Sequence, residues 1–144
     1  MRFLLDSNVC IACLRRKPWA LKALGMVAPA SVAVSAVTLG ELMTGVHLAA
    51  ASGLEADKVN AFLRPIQVLS FGQDEAHQWA LLEARQRKQG NRIEVEDGMI
   101  AATAMALDMT LVTGNTKHFA RVKGLKHVDW EQRPPRKGRQ PLEG

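Results

Sequence analysis

Cysteine is scarce in this chain. Cys10 and Cys13 are the only two among 144 residues, which excludes a secreted disulfide scaffold on number alone. No second metal-binding pair accompanies Cys10-x-x-Cys13, which argues against structural zinc. The pair falls in an apolar helical stripe around Ile11 and Ala12, so both thiols read as small packing groups rather than a redox couple. Long apolar runs are also missing; none approaches the roughly 18 residues of a membrane span. The start Met1-Arg2-Phe3-Leu4-Leu5 carries one cation and too short an apolar stretch for a signal peptide. The expected location is cytoplasmic. His47, His77 and His118 share no ligand spacing, and no internal repeat or second domain is visible.

What remains is an ordinary globular composition, 47% hydrophobic and 23% charged, on a length suited to one domain with a real core. The net charge of +5 suits a polyanionic partner, though weakly as a signal. Much of it lies in residues 131–144, where Arg133, Arg136, Lys137 and Arg139 fall among Pro134, Pro135, Gly138 and Pro141. That basic Pro/Gly-rich tail cannot build a core and is expected to be mobile, leaving residues 1–130 as the folded domain.

Residues 2–6, 32–34, 66–71 and 110–113 read as strands, with a short edge strand at 127–129. The first is wholly apolar, as a strand buried on both faces of a parallel sheet should be. Helices alternate with them: one after Asp6 that Ser7 or Asn8 can cap, one from Ser35 to Ala51 stopped by Ser52-Gly53, a polar one over 54–63, an amphipathic one over 73–89 ended by Gly90, and a small-residue one over 97–107. Residues 93–96 read as a loop or a very short strand. Alternating strands and helices imply an α/β fold, a three-layer α/β/α sandwich around a mostly parallel sheet.

In such a fold the carboxyl ends of the strands share one edge. Asp6 closes the first strand, Glu41 sits early in the second helix pattern, and Asp97 opens another. Each has a local explanation as a cap. Asp6 suits an Asx-turn, and Asp97 suits an N-cap with Glu96 as a first-turn charge. Thr38-x-x-Glu41 matches a capping box, yet the helical pattern already starts at Ala36 and leaves Glu41 two turns in. Those explanations are separate, whereas the three acids recur at one expected edge, joined by Asn115 after the strand 110–113. Carboxylates gathered there call for a hard cation such as Mg²⁺, the mark of a metal-dependent hydrolase.

Leu4-Leu5-Asp6-Ser7-Asn8, Ser35-x-x-Thr38-x-x-Glu41-Leu42, Val95-Glu96-Asp97-x-x-Ile100-Ala101-Ala102 and Leu111-Val112-Thr113-x-Asn115-x-x-x-Phe119 resemble, in register, the motifs of PIN-domain ribonucleases. The VapC-type toxins of bacterial toxin–antitoxin pairs are the most similar subgroup, and the likeness runs from residue 2 to about 129. It implies a Mg²⁺- or Mn²⁺-dependent endoribonuclease that cleaves RNA (tRNA, rRNA or mRNA) to block translation, a homodimer held inactive by a VapB-like antitoxin. It also implies Asp6, Glu41 and Asp97 as catalytic and metal-binding residues. Asn115 stands where many members carry a fourth acid, which implies a weaker or absent second metal. On this reading Asp6 and Asp97 meet the metal, Glu41 orients a water or acts as base, and Ser7, Asn8, Thr113 and Glu96 support them.

Arg15, Arg16 and Lys17, with Arg85, Arg87, Lys88 and Arg92, are candidates to line an RNA path. Trp19, Leu21, Leu24, Val46 and Leu48 are candidates for a partner surface. Two other readings compete: a degenerate PIN domain that binds RNA without cutting it, and a receiver-like signalling domain. The second lacks the paired acids such a domain needs at its first strand end.

Overall fold

The computed structural model describes residues 2–136. Five strands form one parallel sheet in the order β3-β2-β1-β4-β5. They are β1 (Phe3–Leu5), β2 (Val32–Ser35), β3 (Gln67–Leu69), β4 (Thr110–Val112) and β5 (His127–Val128). β1 is central because it has no polar side chain to offer solvent. Phe3 pairs in register with Val32 on one side and Thr110 on the other. Residues alternate between the two faces of a strand. Phe3 and Leu5 therefore join Val32, Val34 and Val112 in one core, while Leu4, Ala33 and Leu111 join the other.

Among the described residues, seven α-helices cover the sheet: α1 (Ser7–Leu14), α2 (Pro18–Gly25), α3 (Ala36–Leu48), α4 (Ser52–Leu63), α5 (Gln73–Gln89), α6 (Val95–Ala106) and α7 (Thr116–Phe119). Val9 and Cys10 of α1, Ala23 of α2, Leu42 and Val46 of α3 and Val59 of α4 pack on the Phe3 face. Leu82 of α5, Ile100, Ala101 and Ala104 of α6 and Phe119 of α7 pack on the Leu4 face. This is the three-layer arrangement expected. Trp130, 2% exposed, closes the first core with its ring edge-on to Phe3 at 5.1 Å between centroids. Among the described residues no helix is long and apolar enough to cross a membrane. Residues 137–144, most of the expected basic tail, lie outside the described residues.

Three boundaries depart from expectation. The 35–51 helix stops at Leu48, and Ser52-Gly53 opens α4 instead of forming a loop, so the two helices make a tight hairpin. The strand at 66–71 shortens to three residues at the sheet edge. Residues 95 and 96, expected in a loop or very short strand, already belong to α6. Gly90 behaves as expected: its φ of 72° ends α5 in the left-handed conformation that glycine adopts without steric cost.

Candidate metal centre at the carboxyl edge of the sheet

Parallel strands bring the ends of β1, β2 and β4 to one edge, where Asp6 and Asn115 follow strands and Glu41 and Asp97 sit on α3 and α6. Asp6 follows β1 directly and is 5% exposed. Its carboxylate, not Ser7 or Asn8, caps α1 by accepting the Val9 N–H at 2.9 Å. A hydrogen bond from the Thr113 side chain also reaches it. Thr113 Oγ1 accepts the Asn115 N–H at 3.0 Å, leaving the hydroxyl proton for Asp6. Thr113 is itself fully buried, so this relay from the β4 end to the β1 end is sheltered from water. Even so, burial pushes the Asp6 carboxyl above its ordinary value, the hydrogen bonds pull it down, and the charge of Asp97 adds to the rise.

Asp97 reaches the edge from α6, where it is the third residue; the cap position belongs to Glu94, which makes no side-chain cap bond. The N-cap explanation for Asp97 is therefore wrong by three positions. Burial raises its carboxyl as well; His118 lowers it, and Glu94 and Glu96 raise it again. Glu41 lies on α3, whose cap is Ser35 through a 3.0 Å bond from the Val37 N–H. Glu41 makes no capping box. It accepts the Ser7 hydroxyl at 2.5 Å, which ties α3 to the first residue of α1 beside Asp6. Burial raises the Cys10 thiol nearby, and the charges of Cys13, Asp6 and Glu41 add to the rise.

The supporting residues divide. Ser7 and Thr113 make the contacts just described. Asn8 is exposed and reaches Asp6 through its backbone N–H, while Glu96 is exposed and acts on Asp97 as a like charge. Asn115 is exposed, and its backbone rather than its amide holds Thr113. His118 was missed: its Nε2 lies 3.5 Å from Asp97 Oδ2. Spacing among histidines could not reveal it, but its place one turn after Asn115, on the same edge, could have.

Among the described residues no three Asp, Glu, His or Cys side chains close on a common metal-holding point. Among the described residues neither Asp6 nor Glu41 has an ion-pair partner. An acidic set of this kind, with two carboxyls raised by burial and, among the described residues, no lysine or arginine paired with Asp6, Glu41 or Asp97, fits a hard divalent cation.

Other expectations meet the structure unevenly. Cys10 and Cys13 are both free and buried, and burial pushes the Cys13 thiol up to about 11, so neither is a thiolate at neutral pH. Arg87 and Arg92 both reach Glu83, at 3.0 and 4.0 Å, while Arg15, Arg16 and Lys17 are exposed on the turn after α1. Val46 is core rather than partner surface; Leu48 is 82% exposed.

The PIN domain family matches residues 3–125. A relative in Shigella flexneri, the tRNA(fMet)-specific endonuclease VapC, is 30% identical over 130 residues, covering 90% of this chain and 98% of its own. Among solved structures, VapBC2 from Rickettsia felis bound to a DNA fragment from its promoter superposes with a TM-score of 0.85 at 26% identity. It covers 90% of this chain and 99% of the other. DNA-bound VapBC from Salmonella typhimurium gives 0.86 at 27% identity, over 90% and 98%. With the acidic edge, the strand order and these likenesses in agreement, the chain belongs to the PIN-domain family, among the VapC-type nucleases.

Proposed function

We propose that the protein is a divalent-cation-dependent endoribonuclease, the toxin of a VapBC-like pair, with Mg²⁺ or Mn²⁺ held by Asp6 and Asp97. The observation that carries this reading is the Asp6 carboxylate, buried at the end of the central strand without a cationic partner and close enough to Asp97 to feel its charge. A protein does not keep two such groups together for stability; neutral side chains would pack there at lower cost.

A bound cation would supply charge neutralisation at the phosphoryl oxygens and a more acidic water. The residues supply the rest. Thr113 and the α1 amides fix Asp6 so that its oxygens need no reorganisation. Ser7 fixes one oxygen of Glu41, and we assign the other to orienting the attacking water. Asn115 contributes an amide and no charge at the fourth position, which favours a single cation over two. The exposed Arg15, Arg16 and Lys17 suit the phosphates of the RNA.

The likeness to toxin–antitoxin complexes supports a VapB-like antitoxin as partner; that the toxin assembles as a homodimer is part of the same proposal. The name of the Shigella relative makes initiator tRNA the first substrate to assay. Purified protein incubated with that tRNA should cleave it with Mg²⁺ or Mn²⁺ and not with EDTA, and Asp6→Ala should be inactive. Intact RNA that is nevertheless bound would favour a degenerate, non-cutting PIN domain.

A further inference from the structure

His118 is held in a specific place beside Asp97. α7 is a single turn held by Asn115, whose carbonyl accepts the N–H groups of His118 and Phe119. Phe119 is 1% exposed and meets the imidazole edge-on at 5.4 Å, so the ring is anchored from below by the core. Its Nε2 is sealed from solvent and has no hydrogen-bond partner, while Asp97 Oδ2 stands 3.5 Å away. At that separation the two atoms share no hydrogen bond. It is instead close to the spacing of two donors on one ion. Nitrogen and oxygen ligands each ~2.1 Å from a cation stand roughly 3.0–3.4 Å apart at octahedral to tetrahedral angles.

We propose that His118 Nε2 is a ligand of the cation held by Asp97, making the centre a mixed nitrogen–oxygen site rather than a purely acidic one. This rests on the acidic-site reading above. It also gives the buried Nε2, which faces Asp97 at 3.5 Å without a hydrogen bond, a bonded contact, and it places an imidazole where another carboxylate would add repulsion to Asp6 and Asp97. An imidazole ligand shifts preference from Mg²⁺ toward transition ions. Affinity for Mn²⁺ should then depend on His118, and affinity for Mg²⁺ much less.

The test is pulsed electron paramagnetic resonance on the full-length protein loaded with Mn²⁺. Wild type should show ¹⁴N modulation that changes to the ¹⁵N pattern when its histidines are isotopically labelled, and His118→Gln should lose it. By calorimetry the same variant should bind Mn²⁺ at least tenfold more weakly, with a smaller change for Mg²⁺. The labelling arm uses unaltered protein, so the absence of histidine coupling there overturns the assignment even if His118→Gln fails to fold, while loss of the coupling in a folded His118→Gln assigns the signal to His118 among the four histidines. Bound Mn²⁺ without nitrogen coupling would overturn the His118 assignment while leaving the acidic site standing. Failure to bind Mn²⁺ at all would overturn both.

Discussion

Replacing Asp6 by asparagine separates stability from function, and the structure sets the sign of each effect. Asparagine caps helices as well as aspartate does, so the 2.9 Å bond from the Val9 N–H survives. What disappears is a charge that burial and Asp97 disfavour. For a carboxyl raised above its ordinary 3.8, the native state holds a proton that the unfolded chain has released between those two values. Stability therefore falls as pH rises through that window, and the penalty is complete above it. In EDTA at pH 7.5, Asp6→Asn should melt at or above wild type. Asp6→Ala, which also loses the cap, should melt about 3 °C below Asp6→Asn, from ~1 kcal/mol at roughly 3 °C per kcal/mol. Mn²⁺ reverses the ranking. At a free concentration ten times its dissociation constant it stabilises wild type by about 1.4 kcal/mol, roughly 4 °C, and should leave Asp6→Asn nearly unmoved. Thermal melts with and without metal read all three proteins. Asp6→Asn melting several degrees below wild type in EDTA, or gaining as much from Mn²⁺, would refute the reasoning.

Ser7→Ala should change the melting temperature little, since the Glu41 bond is near solvent, yet lower the cleavage rate by tenfold or more because Glu41 loses its anchor. Gly98→Ala puts a methyl 3.2 Å from Trp79 Nε1, beside Asp97. Overpacking of about 1–3 kcal/mol outweighs the helix gain of roughly 1 kcal/mol, so denaturant melts should show a net loss near ~1 kcal/mol with a shift in tryptophan emission. Arg16 holds φ of 58° at the end of α1, and Arg16→Gly should stabilise by about 1 kcal/mol in the same melts. If Arg16 contacts RNA, the same variant should bind RNA more weakly with a shallower salt dependence.

The sheet was legible because its inner strands are apolar on both faces; Phe3-Leu4-Leu5 and Val32-Ala33-Val34 admit few other placements. Helix boundaries were less so. Ser52 reads equally as the end of one helix or the start of the next, and only packing of Val59 and Leu63 into the first core selects the second. Glu94, Val95 and Glu96 carry no turn signal, and tertiary contact between α5 and α6 extends the helix over two of them. At the site, the place of Asp6 at the carboxyl edge was legible from topology, while Glu41 and Asp97 come to it along α3 and α6. The direction of each hydrogen bond was not legible. Sequence spacing cannot say that Ser7 reaches across 34 residues to Glu41, or that Asn115 serves through its backbone. His118 escaped because its partner is an aspartate on another helix, a pairing that spacing within one segment does not express.

The central claim is that the acids at the carboxyl edge of the sheet form one cation-dependent ribonuclease site. Its most direct test compares cleavage of initiator tRNA by wild type and Asp97→Asn at saturating Mn²⁺, with both proteins shown to be folded. Asparagine keeps the shape of the side chain and removes its charge, so the account predicts a fall of at least a hundredfold, matched by EDTA on the wild type. Cleavage at the wild-type rate by Asp97→Asn, or by wild type in EDTA, would contradict it.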